Sequence, residues 1–279
     1  MIRVIGDTTS GYNLEQAKAL GIEFIPQLVI FGDKTYRDDT EMDSAMFAKK
    51  LAESPELPKT AAPPPALYTP IYKDMQEKGD SGIVICPSTD LSGTVRSATT
   101  ALQDFPDLDV RIIDTRSIGS SMATLLKMAK EAADEGKTLD EIEAMVRRKM
   151  ANIKLYGVVD TLEYLHKGGR IGGASKLIGD LLQIKPILTL VNGRVEAFEK
   201  QRTKKKALAR IIDLVEAECK DYKKGHFSFS MLDGNPEMDF LKKEFNERFG
   251  ATDIPFLNVP PAIMVHAGPG VIILSFFTE

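Results

Sequence analysis

Three short polar stretches follow directly on strand-like apolar runs: Asp7-Thr8-Thr9-Ser10, Ser88-Thr89 and Asp114-Thr115-Arg116-Ser117. In an open parallel sheet that position is the carboxyl edge, where ligands bind, and hydroxyls collected there beside helix N-termini suit an anion. Taken singly, each stretch also reads as an N-cap or a turn. His266 closes an apolar run, read as a strand, and meets Ala267-Gly-Pro-Gly270, whose glycines allow close approach of backbone to a neighbour or a ligand. A turn-packing imidazole is the plainer reading. His166 and His226 read as solvated or satisfied side chains. In Lys200-Gln-Arg-Thr-Lys-Lys-Lys206, Thr203 serves as N-cap and Lys204 to Lys206 fill the first helical turn, where cations oppose the helix dipole unless an anion lies near. The lysines also read as a solvated face. Arg202, just outside that helix at a strand end, is the member of the cluster placed to point into a cleft.

Familiar catalytic patterns are missing. Gly136-Lys137-Thr138 resembles the end of a P-loop, but position 131 is Glu where that loop needs glycine. Gly168-Gly-Arg-Ile-Gly-Gly173 and Gly268-Pro-Gly270 fail the dinucleotide fingerprint at Arg170 and Ile273. Ser92 is followed by Gly93 but preceded two positions earlier by Asp90, so it forms no nucleophile elbow.

The elements that must carry these residues follow from periodicity. Strands are predicted at 3–5, 23–30, 82–86 and 110–113, with helices at 92–102 and 120–133, an alternation that defines an α/β domain with a largely parallel sheet. Phe31-Gly-Asp-Lys34 reads as a hairpin turn, and the proline-rich stretch 54–65 as a loop. A capping box, Thr138-Leu-Asp-Glu141, opens a helix that ends near Met150. A second α/β set begins at Leu155, with strands at 184–190, to 199 and at 227–232, helices at 203–219 and 238–249, and a hairpin of 263–265 with 271–277. The boundary falls near residue 153, giving domains 1–153 and 154–279, the second with a mixed sheet and a ligand cleft between the two.

Composition narrows the partners. With 43% hydrophobic and 27% charged residues the chain can build a core. Forty acidic against thirty-six basic residues leave a net charge of −4, which argues against nucleic acid as the default partner. Cys86 and Cys219 are far apart and set among apolar residues, as buried free thiols of a reducing cytoplasm. The N-terminus has no run of signal-peptide length, and the apolar run 271–277 is too short to span a bilayer.

The set Gly6-Asp-Thr-Thr-Ser10, Pro87-Ser-Thr-Asp-Leu-Ser-Gly-Thr-Val-Arg-Ser97, Asp114-Thr-Arg-Ser117, Leu162-Glu-Tyr-Leu-His-Lys-Gly-Gly-Arg-Ile171, Lys185-Pro-Ile-Leu188, Gln201-Arg-Thr203 and His266-Ala-Gly-Pro-Gly270 resembles the DegV family, in order and over nearly the whole chain. That family comprises bacterial fatty-acid-binding proteins, some of them the acyl-carrying subunit of fatty acid kinase. The resemblance implies two α/β domains with one long-chain fatty acid, such as palmitate, stearate or oleate, buried between them. It implies no cofactor or metal, an ATP-dependent kinase subunit as partner, and transient membrane contact for ligand exchange. By position, Thr60, Ser92, Gly93 through its N–H, Arg202 and His266 match the residues at the carboxylate, and Arg170 matches an arginine at the mouth that faces the partner. The chain departs from the family pattern at Thr60-Ala-Ala-Pro-Pro-Pro65 and at Ser120-Ser-Met-Ala123, which puts Met122 beside the implied tunnel.

Energetics fit such a ligand. Burying about fourteen methylenes yields about 11 kcal/mol gross at about 0.8 kcal/mol each. Drug-sized ligands realise about 0.3 kcal/mol per heavy atom, so an acid of about sixteen carbons keeps about 5 to 6 kcal/mol. The head group must then be hydrogen-bonded, because an unpaired carboxylate in a dry cleft is costly. The expectation is a non-catalytic carrier that shields the tail and presents the carboxylate to a kinase. The competing expectation is an enzyme for a small anionic substrate in the same cleft, with Asp7, Asp114 and His266 as acid or base.

Overall fold

The computed structural model describes residues 1–180 and 184–278. The first part runs β1 (Ile2–Asp7), α1 (Leu14–Ala19), β2 (Glu23–Ile25), β3 (Leu28–Phe31), β4 (Lys34–Arg37), α2 (Ser44–Glu53), β5 (Lys59–Ala61), α3 (Thr69–Lys78), β6 (Ser81–Cys86), α4 (Thr94–Leu102), β7 (Val110–Asp114), α5 (Ser120–Asp134) and α6 (Leu139–Met150). The second runs β8 (Ile153–Val158), α7 (Glu163–Lys167), β9 (Lys185–Val191), β10 (Arg194–Gln201), α8 (Lys204–Glu218), β11 (Ser228–Met231), α9 (Met238–Phe249), β12 (Phe256–Asn258), α10 (Pro261–Ala267) and β13 (Ile272–Phe277).

Strands β2-β1-β6-β7 form a parallel sheet. Because successive side chains alternate faces, Val4, Ile83 and Ile85 pack under α5 and α6, while Ile5, Val84 and Cys86 pack under α3 and α4. Strands β10-β9-β8-β13-β11-β12 form a mixed sheet in which β11 and β12 run parallel and the other neighbours antiparallel. One face of it, with Tyr156, Val158, Ile187 and Phe276, buries against α8 and α9. The opposite face turns Leu155, Val159, Leu188 and Ile273 toward the carboxyl edge of the parallel sheet. This is the α/β architecture that the alternation of elements predicts.

Helix α5 joins the halves. Gly119, at φ +71, turns the chain so that Ser120 N donates to Ser230 Oγ at 3.0 Å, and Ser120 Oγ lies 2.7 Å from Ser275 Oγ. All three serines are fully buried. A hydroxyl of the mixed sheet thus serves as the helix cap that α5 lacks in its own sequence, which fixes how the two sheets meet. Ser88 adds a second tie, donating at 2.8 Å to the carbonyl of Gly193 in the predicted turn.

The structure corrects several expectations. The strand read at 23–30 is two, because Pro26 removes a ladder donor; the chain leaves the parallel sheet there and β3 pairs antiparallel with β4 and β5. The loop read at 54–65 therefore contains β5. The apolar run before His266 is helix α10 rather than a hairpin strand: Pro261 stands at its first turn, where a missing N–H is harmless. The capping box at Thr138 and Glu141 forms as read. Among the described residues no helix is long and apolar enough to cross a membrane.

Candidate functional site

The inner face of the mixed sheet borders a cavity of about 810 Å³, its open mouth included. Leu155 and Gly157 of β8 with Val159 just after it, Leu188 and Leu190 of β9, Val195 of β10 and Ile273 of β13 make its apolar wall. Strand β8 supplies every second residue, as pleating requires, and Gly157 leaves the wall hollow at its centre.

Polar groups gather where other elements close the cavity. Thr60 of β5 and His266 of α10 meet there, with 2.7 Å between Thr60 Oγ1 and His266 Nε2. Burial, reinforced by the Arg170 charge, lowers the imidazole to about 4, so it is neutral near pH 7. Its Nδ1 is buried, with no partner among the described residues, against Gly168. A proton at Nδ1 would have no acceptor, so it belongs on Nε2, which donates to Thr60 and frees the Thr60 hydroxyl proton for the cavity. Arg170, after α7, is held by its own donors: Nε to the Leu91 carbonyl at 3.1 Å and Nη1 to the Gly168 carbonyl at 2.9 Å. Ser92, just before α4, lines the same cavity with its Oγ 2.8 Å from Thr94 Oγ1. The assembly brings the Thr60 hydroxyl, backed by the imidazole N–H, together with the Ser92 hydroxyl and a guanidinium into an apolar chamber, the chemistry that holds a carboxylate.

Thr60, Ser92, His266 and Arg170 are thus brought together. Gly93 opens instead on an adjoining recess that it shares with Ser92, Arg96 and Arg170. Arg202 does not join them: it is exposed after β10 and is not among the residues lining the cavity. Lys204, whose place at a helix start asked for an anion, reaches Asp160 Oδ1 at 3.2 Å and the Gly270 carbonyl at 2.8 Å. Asp114 accepts from the Thr89 hydroxyl and the Arg116 N–H, outside the cavity. Met122 is fully buried with its sulfur 3.6 Å from Thr9 Oγ1, one residue behind the wall. Sequence reasoning missed Gln27, Gly157 and Gly168. A glycine amid the apolar residues of a strand was the available signal for Gly157.

Gly168 fixes the imidazole. A Cβ there would lie 2.3 Å from His266 Nδ1 and 2.8 Å from the Tyr164 carbonyl. Its φ of −78° suits alanine, so the penalty is steric alone. The Gly168→Ala protein is expected to lose about 1–3 kcal/mol, read by denaturant unfolding, and His266→Ala in the same chain should return part of it. Wild-type stability in Gly168→Ala would show that the contact is slack.

Two α/β sheets that enclose an apolar chamber with these hydrogen-bonding groups define a class of small-ligand binding fold. The chain belongs to the DegV family, whose profile matches residues 1–279. A DegV domain-containing protein of Halalkalibacterium halodurans is 32% identical over 286 residues, covering 100% of this chain and 99% of the relative. Among solved structures, a DegV family protein from Thermus thermophilus described for its fatty acid binding superposes with a TM-score of 0.91 at 29% identity, covering 100% of this chain and 99% of that one. DegV from Bacillus subtilis, described as a fatty acid binding protein, gives 0.88 at 28% identity with the same coverage.

Proposed function

We propose that this protein is a cytoplasmic, non-catalytic carrier that holds one long-chain fatty acid between domains 1–153 and 154–279. The tail fills the apolar cavity, and Thr60, Ser92 and His266 hold the carboxylate. The observation that carries this reading is the pairing of an apolar wall with the Ser92 hydroxyl and the Thr60 hydroxyl that His266 backs. Two recesses adjoin these groups, one with Lys59, Lys167 and Arg170 and one with Arg96 and Arg170. Their positive charge supports an ATP-dependent kinase as the partner to which the carboxylate is presented, because basic groups offset charge developing on a transferred phosphoryl group. The relatives described above support the ligand class.

The test is mass spectrometry of lipid extracted from freshly purified protein, followed by affinity measurement on the delipidated chain. A long-chain acid at one per protein is expected. Thr60→Val should weaken binding about tenfold or more, since a hydrogen bond to a charged group contributes about 1.5–3 kcal/mol. Protein that neither carries nor binds such an acid, or that turns over a phosphorylated substrate unaided, overturns the proposal.

A further inference from the structure

Behind Ser92 the hydrogen bonds continue inward to Gln27, which stands between β2 and β3 where the chain leaves the parallel sheet. Its backbone is clamped: the N–H donates to Asp38 Oδ1 at 2.8 Å and to Thr8 Oγ1 at 3.0 Å, and the carbonyl accepts from Asp38 N at 3.1 Å. Gln27 is 3% exposed and borders the cavity. Its amide nitrogen reaches two acceptors, Asp7 Oδ2 at 3.0 Å and Thr94 Oγ1 at 2.9 Å. Thr94 Oγ1 in turn lies 2.8 Å from Ser92 Oγ.

An amide nitrogen gives two protons and takes none, whereas a hydroxyl has one to give. Asp7 already accepts on Oδ1 from Thr9 N and from the Thr9 hydroxyl. Burial raises it only to about 6, so at pH 7.5 it is ionised and takes one amide proton of Gln27 on Oδ2. The other amide proton goes to Thr94. Of the two groups bonded to Thr94, Gln27 Nε2 can only donate, so the Thr94 proton passes to Ser92 Oγ and the Ser92 proton is left for the cavity that Ser92 lines. The Thr60 hydroxyl, backed by His266, offers a second proton. Two donors match the two oxygens of an ionised carboxylate. A carboxamide has only one oxygen, and its NH₂ would face a proton.

We propose that Gln27, acting through Thr94 and Ser92, is a positioning residue that turns the Ser92 proton toward the cavity and so selects an ionised carboxylate over a neutral head group of the same shape. The inference rests on the carrier reading.

Calorimetric titration of the delipidated protein with decanoate and with decanamide at pH 7.5 tests it. The wild type is expected to bind decanoate about tenfold or more tighter than decanamide, because hydrogen bonds to a charged group are the stronger ones and an unmatched donor is costly. In Gln27→Glu a carboxyl oxygen replaces the amide nitrogen, and any proton it shares with Asp7 lies between the two acids. Thr94 then donates inward, Ser92 donates to Thr94, and the cavity meets only Ser92 lone pairs. Decanoate should weaken about tenfold or more while decanamide binds more tightly, inverting the preference; an added negative charge by itself would weaken decanoate and leave decanamide alone. Thr94→Val cuts the chain with no change of charge and should erase most of the preference, and Thr94→Ser should keep it. A folded Gln27→Glu protein that still prefers decanoate, or that loses both ligands alike, would overturn the inference. So would a wild type that binds the two equally, or a wild-type ratio in Thr94→Val, which decides the matter should Gln27→Glu fail to fold. A wild type that binds neither ligand would instead bring down the carrier reading.

Discussion

The Gly157→Phe protein is expected to fold normally and to carry no long-chain acid. Gly157 sits at the middle of β8, in register with Leu188 on one side and Ile273 on the other. A Cβ there meets Ile273 Cγ1 at 3.9 Å and the Ile272 carbonyl at 4.0 Å, both ordinary contacts, so the backbone accepts a side chain without strain. Leu155 and Val159, its neighbours on the same face, line the cavity, and a phenyl ring at 157 has that space to occupy. An aromatic residue in place of glycine also suits a strand, on a propensity scale that spans about 1 kcal/mol. The ligand loses what the ring occupies. Displacing about four methylenes costs about 3 kcal/mol, or more than a hundredfold in affinity. Gly157→Ala, which intrudes far less, should change affinity only a few-fold. Lipid extraction and displacement of a fluorescent fatty acid read both variants beside a thermal melt. Undiminished retention of the acid by a folded Gly157→Phe protein would place the tail outside this cavity and leave the proposed carrier without its binding site.

The parts of this site that could be read from the chain are those whose signals are local. β1, β6 and β7 are short apolar runs closed by turn residues, and the polar stretches after them do stand at the carboxyl edge of the parallel sheet. Asp7, Ser88 and Asp114 were therefore set at that edge by position alone, whereas Ser92 was reached through family resemblance. Thr60 was reached through family resemblance, because β5 is three residues long and is a strand only by virtue of pairing with Leu28 to Ile30. His266 was singled out on the wrong element, since the run from Ala262 to Val265 is too short to show either period, and tertiary packing against β3 and β5 decides it. Arg202 was reached from its place at a strand end and through family resemblance; it lies exposed one residue past β10, beyond the strand whose pleating seats Val195 on the cavity wall. The hydrogen bonds that tie Asp7 to Gln27 and Asp38 to Thr8 join residues 20 and 30 positions apart, so they exist only once the sheets have formed.

The buried acids also set how stability responds to pH, and the effect is large enough to measure. Asp38 accepts from the Thr8 hydroxyl at 2.7 Å and from Gln27 N at 2.8 Å on one oxygen, while its other oxygen is buried with no partner among the described residues. Burial, with the Asp7 charge adding to it, raises the carboxyl to about 8 against the pull of those hydrogen bonds. The unfolded chain releases this proton near pH 4, so the stabilisation is complete below that and drains away as pH rises toward 8. Asp7 contributes in the same direction up to about 6. His266 acts oppositely: lowered to about 4 in the fold, it withdraws stability as pH falls through the interval from about 6.5 to 4. Between pH 4 and 6.5 the imidazole and the acids counteract each other. From pH 6.5 to 8 Asp38 stands alone among them, and a native state holding one proton that the unfolded chain lacks loses about 1.4 kcal/mol per pH unit. In a chain of this size about 1 kcal/mol moves the melting temperature by about 2–4 °C. The delipidated wild type should therefore melt several degrees lower at pH 8 than at pH 6.5. Asp38→Asn keeps the acceptor for Thr8 and Gln27 but has no proton to lose, so its melting temperature should be level across that window. An equal slope in the two proteins, or none in the wild type, would mean that Asp38 is ionised in the fold, and would put a second fixed charge beside Asp7 at the back of the head-group site.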